Sequence, residues 1–388
     1  MTHGRIYLDH AATTPLAEAA LAAMQSWWGV AASASSVHRS GQRARAAVET
    51  ARERVAGAVG AHPSKIVFTS GATEADGLAV RGALDAADPQ AALAYGATEH
   101  AAVLRPAERE GLGGRPVRSV PPAANGAMSV DALRAVLASL EGPVGLVAAM
   151  HTNNETGGLA DVPALAEAAH RAGAVFLCDA AQAFGVTPLD VHALGADLVT
   201  ISSHKIGGPQ GVGALWIRAG TTVVPQQLGG EQERGMRAGT HPVAALVGFG
   251  AAAEAAGREA EARGRTCAAR RDLLASLLHA TPGIEPNGTG PRGPKHLNLH
   301  VAGVDGETLL MALDDAGVEV SAGSACAAGS VEPSHVLLAM GLPAAKARAS
   351  LRFSVAPDTT EAEVHEAAAR VAEVVGRLRA LGAPAAVS

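Results

Sequence analysis

Ser202-Ser203-His204-Lys205 is followed by Ile-Gly-Gly-Pro, so a lysine stands just past a short apolar run with glycines behind it. Glycines let a chain pass close to a ligand, and a desolvated amine loses its proton readily and adds to aldehydes. A loop lysine is more often a solvated surface charge, so Lys205 gains weight only from its companions. Asp179 closes the apolar run Val-Phe-Leu-Cys-Asp, 26 residues before Lys205 (179 to 205). A carboxylate there can pair with a pyridine nitrogen and keep it protonated, which makes the ring an electron sink. An Asp in that place also starts turns. Thr69-Ser70-Gly71-Ala72-Thr73-Glu74 sets small residues before a helix start. That leaves backbone N–H groups for an anion, helped by the Ser70 and Thr73 hydroxyls, although the pattern also serves as an ordinary helix cap. It is neither a Walker loop nor a dinucleotide fingerprint.

Cys326 lies in Ser-Ala-Gly-Ser-Ala-Cys-Ala-Ala-Gly-Ser, a stretch without a bulky side chain. A thiol there can approach a ligand and leave with cargo, provided that it forms a thiolate. Cysteine otherwise packs as a small hydrophobe. That suits Cys178 inside its apolar strand, whereas Cys267 in a charged helical stretch looks incidental. His100, after Thr98-Glu99, can stack on a ring or move protons, or simply satisfy local hydrogen bonds. Arg352, in Ser-Leu-Arg-Phe-Ser-Val, can hold a carboxylate at two points, or be a solvated charge on a strand.

These residues need a scaffold. Short apolar runs at 65–69, 93–97, 145–150, 174–178, 197–202 and 213–217 read as buried strands, and helical patterns at 74–86 and 161–172 fall between them. That alternation predicts an α/β domain with a mainly parallel sheet. Ligands gather beyond the carboxyl ends of such strands, which is where most of the residues above fall. From 251 to 279 the pattern turns long, charged and helical, a bridge to a second domain. That domain holds a strand at 297–301, a helix near 307–315, the small-residue loop 321–330, a strand at 350–355 and a last helix from Thr360. Pro286–Pro294 reads as an exposed turn by composition.

The chain has 388 residues, enough for a large domain and a smaller one. Hydrophobic residues are 48% and aromatics 3%, so Ala, Val and Leu must fill the core. Net charge is −6 without a basic run, which argues against direct nucleic-acid binding. Three cysteines far apart fit a reducing cytoplasm better than a disulfide framework. The first fifteen residues lack the apolar core of a signal peptide, and the apolar stretch at 242–253 is too short to span a bilayer. Fifteen scattered histidines without HExxH or paired-cysteine spacing predict no metal site.

Taken in order, these motifs resemble the cysteine desulfurases of the class V aminotransferase group, which have the type I pyridoxal-phosphate fold. The segments that carry the resemblance are YLDHAATTP (7–15), FTSGATEAD (68–76), TEHAAVL (98–104), NNETG (153–157), DAAQAFG (179–185), SSHKIGGPQGVGAL (202–215), GGEQERGMRAGT (229–240), GSACAAGSVEPSHVL (323–337) and LRFS (351–354). They run over nearly the whole chain. The resemblance implies a large cofactor-binding domain over 15–255, and a small domain of 1–14 and 256–388 that carries the acceptor cysteine.

It also implies roles. Lys205 would bind pyridoxal 5'-phosphate as an imine, Asp179 would partner the ring nitrogen, and His100 would stack on the ring as an acid/base. Gln182 would meet the ring hydroxyl, and Ala72, Thr73, Ser202 and His204 the phosphate. Thr240 would reach the phosphate of the other subunit, implying a homodimer. Asn154 and Arg352 would take the carboxylate of L-cysteine, and Cys326 would accept its sulfur as a persulfide, leaving alanine.

Departures from the family pattern are Gly77, Ser33-Ala34, Gln210 and Ala356-Pro357, none of which removes a group the chemistry needs. The end Gly-Ala-Pro-Ala-Ala-Val-Ser lacks the extended tail by which many relatives dock an iron–sulfur scaffold. The acceptor therefore stays open among such a scaffold, a tRNA-thiolation enzyme, a DNA-modification system and a biosynthetic carrier. The loop 321–333 resembles the long-loop branch, which favours direct delivery to a partner protein. The rival readings are a selenocysteine lyase, another pyridoxal-phosphate lyase or aminotransferase, and a non-catalytic binding protein. The thiol at Cys326 speaks against a plain aminotransferase.

Overall fold

The structure is a computed structural model that describes residues 4–322 and 332–382. At its centre is a sheet of seven strands. Their order across the sheet is Ile66–Thr69, Gly213–Ile217, Leu198–Ser202, Val175–Asp179, Val144–Met150, Ala92–Gly96 and Val117–Val120. Gly213–Ile217 runs antiparallel to both neighbours, and the remaining pairs are parallel. The expected α/β domain with a mainly parallel sheet is therefore present.

Parallel strands covered on both faces read as continuous apolar runs. Val144–Met150 is buried at every position. Val147 and Ala149 face one core with Phe176, Phe249 and Trp216. Leu146 and Ala148 face the other with Leu78, Leu93 and Leu215. Six strands match the expected runs to within a residue, while Val117–Val120 was not anticipated. It is an edge strand with two exposed positions, so it lacks the apolar signature of the others.

A second core lies around an antiparallel sheet ordered Ser350–Ser354, His296–Val301 and Ile284–Pro286. Leu297, Leu299, Leu351 and Phe353 pack there against Leu309, Val371 and Val375 of the flanking helices. Ile6–Tyr7 pairs in parallel with Val318–Glu319, and this brings Ile6 and Leu8 into the same core.

The helix Val243–His279 joins the two cores. It begins eight residues before the expected bridge (243 against 251), because the apolar stretch at its start packs on the first core through Leu246, Phe249 and Ala253. Its far end packs on the second through Cys267, Leu274 and Leu278. Cys267 is thus a core residue, not an incidental one. Burial raises its thiol to about 11.

The segment 286–294 is less exposed than its composition suggests. Asn287 is buried, and its amide donates to Asn298 Oδ1 at 2.7 Å and Ser350 Oγ at 2.9 Å. Polar residues enter a core when buried acceptors are waiting for them.

Candidate active site

The carboxyl ends of the strands meet in one cavity of about 470 Å³. Met150, Asp179 and Thr200 lie in register across three neighbouring strands. The next strand to Thr200's side supplies Gly213, which must be glycine: a Cβ there would stand 2.7 Å from Gly71 Cα. This close approach seats the start of the helix Ala72–Ala86 at the cavity. No side chain caps that helix, and Gly71, Ala72 and Thr73 line the cavity. Its first backbone N–H groups and the positive end of its dipole are therefore open to an anion such as phosphate.

Lys205 sits in a single helical turn just after the strand Leu198–Ser202. Its Nζ donates to the carbonyls of Ala11 (2.5 Å) and Ala12 (2.6 Å). The N-terminal segment is latched in place there, because Thr14 N donates to His204 O at 3.0 Å and Gly207 N to Thr14 Oγ1 at 2.8 Å. Burial, then the charge of Arg352, lowers the Lys205 amine to about 8, against the pull of Asp179 and Asp9. An amine in that range reaches its nucleophilic form near neutral pH.

Asp179 takes a hydrogen bond from Ala181 N at 2.9 Å. Burial raises its carboxyl above the usual range, opposed by that hydrogen bond and by His100 and Lys205. Behind it stands Asp76, raised further by its own burial and by the charge of Asp179. Asp76 accepts from Thr200 Oγ1 at 2.7 Å, and its other oxygen has no partner among the described residues.

His100 caps the helix Ala101–Leu112, its Nδ1 accepting from Ala102 N at 3.1 Å. Burial lowers its pKa, with Lys205 and His335 adding to the effect against Asp179. The ring is therefore neutral at physiological pH. His204 is brought down to about 4 by burial and the Lys205 charge, and its Nδ1 lies 3.1 Å from Thr13 Oγ1. Gln182 donates to Ala11 O at 3.0 Å.

Ala72, Thr73, His100, Asn154, Asp179, Gln182, Ser202, His204 and Lys205 all line this one cavity. Asn154 Oδ1 and Ser202 Oγ are buried there without a hydrogen-bond partner among the described residues, as expected where a ligand completes the bonding. An aldehyde carrying a phosphate and a ring nitrogen fits this set. Lys205 would meet the aldehyde, Asp179 the nitrogen, and the uncapped helix start the phosphate.

Three expected residues stand apart. Thr240 is exposed and outside the cavity. Arg352 is not a solvated charge: it is buried, with Nη1 donating to Asn154 O at 2.9 Å and Nη2 to Asp9 Oδ1 at 2.7 Å. It reaches the site's edge already paired. Cys326 lies outside the described residues. The described chain on either side of it is tied to the site. Ser321 exchanges backbone hydrogen bonds with Arg352, Ser334 Oγ donates to Glu155 Oε2 at 2.5 Å, and His335 Nε2 lies 3.0 Å from Glu99 O.

Sequence reasoning gave no role to Asp76 or to the Ala11–Ala12 carbonyls. Asp76 could have been suspected, since a carboxylate four residues after Ala72 interrupts the apolar face of its helix. Backbone carbonyls leave no signal in side-chain identity.

The Aminotransferase class-V family model matches residues 6–366. An IscS-like cysteine desulfurase of Mycobacterium tuberculosis is 41% identical over 384 residues, covering 96% of this chain and 97% of that protein. A NifS-like protein from Rickettsia africae superposes with a TM-score of 0.88 at 28% identity, over 96% of this chain and 99% of that one. SspA, solved in complex with cysteine, does so with a TM-score of 0.80 at 31% identity, over 92% and 100%. The chain belongs to the class V aminotransferase family and, within it, to the cysteine desulfurases. Enzymes of this family generally depend on pyridoxal phosphate. No helix among the described residues is long and apolar enough to cross a membrane, and no cluster of His, Cys, Asp or Glu among them could hold a metal ion.

Proposed function

We propose that this chain is a cytoplasmic, homodimeric, pyridoxal-phosphate-dependent enzyme. It takes L-cysteine to L-alanine and loads the sulfur on Cys326 for an acceptor protein. The observation that carries this reading is the juxtaposition of Lys205, whose amine is lowered to about 8, with the buried Asp179 at an uncapped helix start. Pyridoxal phosphate, when bound, supplies an electron sink for carbanion chemistry.

The rest is work for this chain's own side chains. The backbone N–H groups of Ala72 and Thr73, with Ser202 and His204, hold the phosphate. Asp179 would accept a hydrogen bond from the protonated ring nitrogen, which would satisfy a carboxyl otherwise buried among acids. Gln182 meets the ring hydroxyl, and neutral His100 faces the ring. Lys205 would serve as the base at the substrate Cα. The substrate carboxylate is taken by Asn154 and Arg352, and to use Nη2 it must displace Asp9.

The Cys326 thiolate attacks the substrate sulfur. The sulfur–sulfur bond forms as the carbon–sulfur bond breaks, and its electron pair stays with the substrate β-carbon, which takes a proton, while the proton removed at Cα is returned there to give alanine. One sulfur atom moves and no outside reductant enters until the persulfide is discharged.

The test is alanine and sulfide release from L-cysteine with a thiol reductant. Equal amounts from the wild type and neither from Cys326→Ala are expected. Full activity in Cys326→Ala would remove the persulfide route. A yellow protein that releases no alanine would mean that L-cysteine is the wrong substrate.

A further inference from the structure

A second cavity, of about 350 Å³, lies on the other side of Lys205, which lines both. Its wall includes His10, Glu18, Arg263, Lys295 and Asp358. We propose that this second cavity is a binding site for a small oxyanion, held by the ammonium group of Lys295.

Lys295 is 2% exposed, and its Nζ has no hydrogen-bond partner among the described residues. A buried amine without a partner is costly whether it is charged or neutral, so its persistence points to a ligand. The backbone does not let it escape. Lys295 directly precedes the strand His296–Val301, and its carbonyl accepts from Val355 N at 3.0 Å. His10 stands in the same wall, 5% exposed, with its Nδ1 also unpartnered among the described residues. Burial lowers the His10 pKa against a hydrogen bond to the Tyr7 backbone carbonyl, so the ring is neutral and its one N–H goes to that carbonyl. Arg263 is fixed at the wall by donation from Nε to Gly185 O at 3.0 Å. The cavity thus offers an ammonium and a guanidinium to one guest.

The charges facing Lys295 set how binding depends on pH. Burial, then Lys205, lowers its amine to about 7. Cys267 opposes this, and Arg352 and Arg263 add to it. Glu18 and Asp358 are the acids of the wall. Below about 7 the amine is charged and attracts an oxyanion, and above it the attraction fades. The guest would also lie beside Lys205 and favour its charged form.

Sulfate is the probe, because its charge is constant from pH 6 to 9. Calorimetric titration of the cofactor-loaded protein is expected to show wild-type affinity falling as pH rises through 7. Lys295→Arg, charged throughout, should bind sulfate with a shallower pH dependence. Lys295→Met should lose at least about tenfold in affinity at pH 6, the loss of one charge-assisted contact. Acetate and inorganic phosphate run at pH 6 tell a carboxylate guest from a phosphate-like one. Equal sulfate affinity in wild type and Lys295→Met, or no binding by the wild type, overturns the proposal. If Lys295→Met does not fold, an unchanged pH slope in Lys295→Arg overturns it.

Discussion

Lys205 has its reactivity from place rather than type. Three other lysines occur in the chain, yet only Lys205 is lowered to about 8 in the same cavity as a buried carboxylate. The free amine rises from roughly a tenth to nine-tenths between pH 7 and 9. Cofactor uptake by the apoprotein, followed by visible absorbance, should therefore quicken about tenfold over that range. Lys205→Ala should abolish both the absorbance band and turnover. Asp179→Ala should leave the phosphate contacts intact yet lower turnover by about a hundredfold or more, measured as alanine release by the yellow protein. His100 is neutral from burial, so its protonation should leave no step in the activity profile between pH 7 and 9.

At the scale of elements, one contact seats the phosphate cup and another braces the segment 229–241. Gly213→Ala would push Gly71 away. The overpacking should cost about 1–3 kcal/mol of stability and weaken cofactor affinity, read by urea unfolding and by absorbance titration.

The second contact joins the helix Arg39–Ala58 to Glu233. Arg52 donates to Glu233 at 2.6 and 2.8 Å, and Phe68 N and His241 complete the carboxylate's shell. Glu233 and Arg234 adopt φ of 50° and 58°, a left-handed pair that costs about 1–2 kcal/mol per residue. The buried clamp offsets that strain. Arg52→Ala would leave the buried Glu233 with only Phe68 N and His241, and about 3–5 kcal/mol should be lost in urea unfolding.

Burial alone would raise the Glu233 pKa, but His241, Arg52 and Phe68 N–H bring it to about 2. Its folded value lies below its unfolded one. Its contribution to stability is thus full above about pH 4.5 and is lost as pH falls toward 2.

For the whole molecule, the helix Val243–His279 passes from one core to the other between Ala256 and Cys267. We propose the division into 15–255 and 1–14 with 256–388 on that ground, with a boundary inside a continuous helix rather than in a linker. Thr240, exposed and outside its own cavity, fits a role toward a second subunit. Val37 and Leu228 are 85% and 82% exposed, and Gln232 Nε2 donates to Ser35 Oγ at 3.3 Å between their segments. We expect sedimentation to give a dimer, and Thr240→Val to weaken cofactor binding without shifting the sedimentation coefficient.

Six strands, the mainly parallel character of their sheet and nine of the residues that line the cavity were legible in the sequence. Apolar runs and small-residue turns are local signals, and the chemistry of Lys205, Asp179 and His100 is a matter of residue type. The edge strand Val117–Val120 was not legible, because it is half solvated. The pairing of Arg352 with Asp9, 343 residues apart in the chain, left no local trace. Nor did the Ala11 and Ala12 carbonyls on Lys205, or the solitary Lys295 behind it. The sequence by itself determined which groups are present and which strand ends carry them. The tertiary structure alone decided which groups are desolvated together, because burial and charge proximity depend on contacts between distant segments.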